Sequence, residues 1–158
     1  MMKRSTALFT LFTLFSLGAC ASNTNYSQQQ RQAPVVADTS HPATTIASNM
    51  LGKPYRFGGA SPSGFDCSGL VYYSYHKAGY RVPRTSQLQY QQSLPVKRAH
   101  MREGDLLFFR IEGKVSHVGV YLGDNQFIHA PSSGKRVSIA SLEAPYWKQR
   151  FTKAGRFF

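Results

Sequence analysis

Residues 64–79 constrain this chain more than any other stretch. Gly64-Phe65-Asp66-Cys67-Ser68-Gly69-Leu70-Val71 runs a glycine-bearing loop into Asp66, a residue type that caps helices. Leu70, Val71, Ser74, Tyr75 and Ala78 then recur at helical spacing, and Gly79 offers a C-terminal stop. The spacing predicts a helix with one buried face and Cys67 in its first turn. Unpaired backbone N–H groups and the positive end of the helix dipole converge there. Such an environment favours thiolate over thiol. Taken alone, Cys67 reads equally as a small buried cysteine.

The segments around this helix divide the chain in two. Before it, Thr44–Leu51 reads as a short helix with Ile46, Ala47, Met50 and Leu51 on one side and Gly52 as its end. Pro54–Gly59 is an extended, glycine-rich approach. After it, Pro83-Arg84-Thr85-Ser86 opens a short helix to about Gln92, capped by Thr85 or Ser86. From Asp105 the pattern turns to strands: 105–110, 115–122, 126–130 and 136–142, then an aromatic tail with a last short strand near Phe157. Helices first and antiparallel strands after predict an α+β fold.

The strand pair around Gly123-Asp124-Asn125 brings two histidines together. A three-residue turn there puts Leu122 opposite Gln126, His129 facing Gly119, and His117 diagonally beside His129. A register two residues over places the histidines directly opposite. Both registers keep the two rings on one face, because strand side chains alternate. A helix-N-terminal cysteine with two adjacent imidazoles fits nucleophilic thiol catalysis, one imidazole acting as base and the second orienting it. Each histidine alone is equally a satisfied core residue. Cys67, His117 and His129 are also possible zinc ligands, but no CxxC or HxxxH spacing supports a site, and no metal is expected. No dinucleotide or phosphate-loop motif occurs, so no cofactor is expected either. His41, His76 and His100 receive no role, and His41 falls in the segment before the folded domain.

The N-terminus reads as an address. Lys3 and Arg4 precede an apolar run, Ala7–Leu17, too short to span a bilayer and suited to a signal sequence. Leu17-Gly18-Ala19-Cys20 follows and resembles the bacterial lipobox, which implies cleavage before Cys20 and lipid on its sulfur. Cys67, the other of two cysteines, then has no disulfide partner. Residues 21–42 are polar and lack an apolar period, so they read as a disordered tether with a reach of roughly 25–30 Å. The expected organisation is signal peptide 1–19, lipidated cysteine and tether 20–42, and folded domain 43–158. A formal charge of +12, from 19 basic and 7 acidic residues, suits an acidic polymer or lipid headgroups. The basic residues are scattered, with no basic helix or interleaved aromatics, and no nucleic-acid partner is expected.

Several of these stretches together resemble one family. They are Tyr55 through Gly59, Asp66 through Val71, Pro83-Arg84, Gly104 through Phe109, His117 through Gly123, Phe127 through Ala130 and Pro145-Tyr146-Trp147. In this order they resemble the NlpC-type cell-wall cysteine peptidases of bacteria, over about residues 45–155. Glu103 departs from the proline common before Gly-Asp in that family. The resemblance implies a compact papain-like fold, Cys67 as nucleophile, His117 as base and His129 as the orienting residue. It also implies that Tyr55 lines the site and helps hold the oxyanion, with backbone N–H at Cys67 or Ser68 completing the hole. Arg56 and Arg84 each read either as a partner for a substrate carboxylate or as a solvated charge.

The implied activity is hydrolysis of a peptidoglycan stem-peptide or cross-link amide next to meso-diaminopimelate, through a thioester. With the lipobox, the chain resembles the murein lipoproteins of Gram-negative bacteria, implying a lipid-anchored monomer on the periplasmic face of the outer membrane. A non-catalytic peptidoglycan-binding lipoprotein is the alternative, and a transferase using the same thioester is a third reading.

Overall fold

The computed structural model describes residues 40–132 and 134–158. The expected signal peptide, lipidation at Cys20 and tether up to residue 39 fall outside the described residues.

Helix α1 spans Pro42–Ser48, starting earlier than its apolar spacing predicts. The reason is its cap. His41 is extended and its ring nitrogen Nδ1 accepts the Ala43 N–H at 3.2 Å, with Pro42 in the first turn. The shift buries Ala43, Thr44 and Ala47 and leaves Leu51 44% exposed, so Leu51 is not on the buried face. His41, expected in the tether, is buried and stacks on Tyr80, with Tyr75 and Phe158 alongside. The folded unit therefore includes His41 and Pro42.

A two-stranded ribbon follows, β1 (Ala60–Ser61) with β2 (Gly64–Phe65), leading into α2 (Cys67–Lys77). Asp66 caps α2, its side chain accepting the Gly69 N–H at 2.6 Å. Leu70, Val71, Ser74 and Tyr75 are buried, as the spacing predicts, and Gly79 follows with φ +87°. Gly69 is required where it stands, because a Cβ there would drive into the Gly59 carbonyl. Helix α3 (Ser86–Gln92) is capped by Thr85.

Six antiparallel strands form the main sheet in the order β3-β8-β4-β5-β6-β7. They are β3 (Leu94–Val96), β4 (Leu106–Ile111), β5 (Lys114–Gly123), β6 (Gln126–His129), β7 (Ser138–Ser141) and β8 (Phe151–Arg156). A short helix, α4 (Pro145–Lys148), precedes β8. The aromatic tail thus enters the sheet interior, between β3 and β4, which local pattern does not reveal. Alternation splits the apolar run of β4 between two cores. Leu106 and Phe108 pack with Val118, Val120 and Ile128 against α1 and α2. Leu107 and Phe109 pack with Tyr121, Phe127 and Leu142 against Trp147 and Phe151.

Two irregularities set the geometry of β5. Phe109 pairs with His117 and Arg110 with Val115, so Ser116 is an extra residue, a β-bulge directly before His117. At the far end, Val120 pairs with Ile128 and Tyr121 with Phe127, the expected register. Gly123, rather than Leu122, then faces Gln126. The turn is therefore two residues, not three: Asp124 and Asn125 both adopt positive φ, +47° and +57°, as a type I′ hairpin requires. Leu122 becomes a second bulge, and the histidine strands keep the register that pairs their rings.

Candidate active site

The site forms where the N-terminus of α2 meets the bulged end of β5. Cys67 is partly exposed, and its Sγ lies 3.7 Å from the Ser116 carbonyl oxygen. The thiol also feels the backbone N–H groups of Val118, Ser68 and Cys67 itself, which favour the thiolate. It is thus seated against the 116–118 backbone that carries His117.

His117 and His129 are each 3% exposed, and His117 Nε2 lies 2.9 Å from His129 Nδ1, a hydrogen bond within one buried pair. That bond occupies Nε2 and leaves Nδ1 as the His117 nitrogen available for proton exchange with a neighbour. The pair sits in an aromatic box. Trp147 stacks on His117 with ring centres 5.1 Å apart and meets His129 edge-on at 4.9 Å. Phe109 and Phe127 close the other sides.

This enclosure decides the charge state. Burial lowers His117 to about 3, with the neighbouring His129 adding to the effect. Burial and the Lys135 ammonium lower His129 to about 4. Burial also pushes the Cys67 thiol up to about 11, helped by the Asp66 carboxylate and opposed by the backbone N–H groups. Desolvation thus opposes the helix terminus at Cys67, and burial disfavours the charged form of both imidazoles.

Tyr55 reaches the same place. Its phenol pKa is raised by burial and by the Cys67 sulfur and Asp66 carboxylate beside it. Its backbone is fixed by N–H donation to the Lys135 carbonyl at 2.9 Å and by a bridge to Phe65. Ser68 is buried behind Cys67, its hydroxyl donating to Asp66 Oδ1 at 3.1 Å, so only its backbone N–H is free to face a reacting carbonyl.

Arg84 departs from expectation. Its guanidinium donates to both Asp66 oxygens at 3.0 and 2.7 Å, to Ser68 Oγ at 3.0 Å and to the Gly59 carbonyl at 3.2 Å. A fork this fully engaged holds the helix cap and is not free for a substrate carboxylate. Arg56 is exposed, its Cβ packed on Gly64. Among the described residues, no group of three or more His, Cys, Asp or Glu side chains is placed to hold a metal ion.

Three parts of the site escape sequence reasoning: the Ser116 bulge, the Asp66–Arg84 clamp and Trp147. Trp147 is the chain's single tryptophan and sits in the aromatic tail, which was a signal, but nothing local says which rings it covers.

The chain is similar to known proteins. The chain is 45% identical over 124 residues to murein DD-endopeptidase MepH of Escherichia coli K12, covering 72% of this chain and 46% of that protein. It is 42% identical over 106 residues to murein DD-endopeptidase MepS/murein LD-carboxypeptidase of the same organism, covering 66% and 56%. The chain spans about half the length of these relatives. Among solved structures it is similar to an NlpC/P60 family protein from Bacillus cereus, with TM-score 0.71 and 34% identity over 73% of this chain and 39% of that one. It is also similar to the NlpC/p60 domain of peptidoglycan hydrolase SagA, with TM-score 0.64 and 33% identity over 73% and 96%. The α+β, papain-like fold implied by the sequence motifs is the fold present. The NlpC/P60 family model matches residues 52–156, and the chain belongs to the NlpC/P60 family.

Proposed function

We propose that this chain is a peptidoglycan endopeptidase in which Cys67 is the nucleophile, His117 the base and His129 the orienting residue. The carrying observation is the 2.9 Å His117–His129 bond, which occupies Nε2 and leaves Nδ1 for proton exchange, on a strand whose Ser116 carbonyl lies 3.7 Å from the thiol. His117 Nδ1 takes the thiol proton as Sγ attacks the amide carbon. The Cys67 and Ser68 N–H groups and the Tyr55 hydroxyl receive the developing oxyanion. The C–N bond breaks as His117 returns the proton to the leaving amine. Water, deprotonated by His117, then cleaves the thioester and restores the thiol.

The favoured bond is the cross-link amide between D-Ala and meso-diaminopimelate, rather than the D-Glu to diaminopimelate bond within a stem. The two murein DD-endopeptidases to which the chain is similar support this choice. Lipid on Cys20 anchors the protein to the periplasmic face of the outer membrane in this reading, supported by the lipobox-like Leu17-Gly18-Ala19-Cys20.

Digestion of diaminopimelate-type peptidoglycan by the full-length chain, read by mass spectrometry beside Cys67→Ala, tests the proposal. Monomeric fragments that appear with the wild type and vanish with Cys67→Ala are expected, and their masses name the bond. Identical profiles from both proteins would leave a wall-binding lipoprotein instead.

A further inference from the structure

With Arg84 committed to Asp66, the cations open to a substrate carboxylate are the exposed Arg56 and those that sequence reasoning did not single out. A groove of about 430 Å³ opens against Trp147, the ring that packs on both histidines. Ile111, Pro131, Tyr146 and Trp147 form its apolar walls, and Ser132 and Lys135 its polar rim. One wall is the same Trp147 that stacks on His117, so the groove and the aromatic box share that ring. Among the described residues, no acidic side chain lines it.

Lys135 is held firmly at this rim. Its carbonyl accepts the Tyr55 N–H at 2.9 Å, its own N–H donates to the Ser132 carbonyl at 3.1 Å, and the next residue, Arg136, bridges to Pro54. The residue therefore sits between the Tyr55 segment and His129, where its charge already acts on the imidazole. Its exposed ammonium forms no ion pair among the described residues.

We infer that this groove is a substrate subsite, and that Lys135 is the counter-ion for a free carboxylate on the peptide segment lying against Trp147 and Tyr146. The inference rests on the peptidase reading above and gives it a specificity residue. An apolar slot suits the aliphatic stem of an amino acid, and a single ammonium at its rim suits a carboxylate at the end of that stem. Both features occur together in a peptide whose residues carry side-chain or unlinked α-carboxylates.

The test compares the full-length wild type with Lys135→Met and Lys135→Arg on a diaminopimelate-containing cross-linked muropeptide, in its free-carboxylate form and fully amidated. Lys135→Met should raise KM for the free form roughly tenfold with kcat little changed, and Lys135→Arg should stay near wild type. Amidation should raise the wild-type KM by a similar factor and remove the effect of Lys135→Met. Equal KM values for all three proteins, or a loss confined to kcat, would overturn the inference. Calorimetric binding of the free-carboxylate muropeptide is measured in parallel in the Cys67→Ala background. If the wild type cuts nothing yet Lys135→Met weakens that binding about tenfold, the subsite stands and the peptidase reading falls. If Lys135→Met leaves that binding unchanged, or none is seen, the subsite falls.

Discussion

The two halves of the active site are built on opposite principles. On the nucleophile side, Asp66 accepts from Arg84, from the Gly69 N–H at 2.6 Å and from the Gly58 N–H at 3.0 Å, with Arg84 still 34% exposed. Position is fixed there by directional, charge-assisted bonds in contact with water. On the histidine side, one buried hydrogen bond is surrounded by Trp147, Phe109 and Phe127. Position is fixed there by packing, and dryness keeps the imidazoles neutral. Cys67 lies on the seam, its thiol raised by burial and eased back by the N–H groups of both sides. The nucleophile side should therefore answer to loss of charge partners, and the histidine side to loss of dryness and to pH.

Removing Asp66 should have the largest effect on stability. Asp66→Ala deletes the α2 cap and leaves the Arg84 fork facing two neutral oxygens, a cost of about 3 kcal/mol in urea unfolding. Arg84→Met should cost less, because Asp66 keeps its backbone donors. The double variant should be more stable than the sum of the singles predicts, since each single strands a partner. Simple additivity would break the account of this side as one hydrogen-bonded unit.

The histidine side is tested by acid. Both imidazoles have folded-state values below the ordinary 6.5, so the unfolded chain binds protons first as pH falls. Their contribution to stability is complete above about pH 6.5 and is lost progressively toward pH 3–4, a loss of several kcal/mol for the pair. Trp147→Ala should cost about 2 kcal/mol at pH 7 and admit water to both rings. Their pKa values then rise toward 6.5 and the acid-induced loss shrinks. Urea unfolding at pH 7 and pH 4 measures both quantities. A Trp147→Ala protein with the full wild-type acid loss would show that the aromatic box does not set the histidine charge.

How much of this was legible in the sequence follows the same division. The α2 cap, its buried face and the pairing of His117 with His129 are local: capping and strand alternation act over a few residues, so spacing predicts them. Asp66's partner was not legible, because Arg84 meets it across 18 positions and many arginines offered the same chemistry. The Ser116 bulge leaves no compositional trace. The burial opposing the helix terminus at Cys67 was missed for another reason. A helix terminus is visible in sequence, but that burial depends on β5, whose Ser116 meets the thiol from 49 positions along the chain. Leu51 failed similarly: spacing placed it on a helical face, but the His41 cap started α1 too early for it to stay in the helix.

The smallest expected effect supplies the control. Glu143 precedes α4, the helix that carries Trp147, and pairs with Arg98 and with Lys148, the latter at 2.8 Å. All three side chains are well exposed, so water and salt screen the pairs. Burying Trp147 against Phe109 and Phe127 places α4 instead. Glu143→Gln should therefore leave both urea midpoints, at pH 7 and at pH 4, within error of wild type. A shifted acid limb in this variant would mean that surface ion pairs, not packing, hold the tryptophan over the histidines, and the contrast between a charge-held and a packing-held half would collapse.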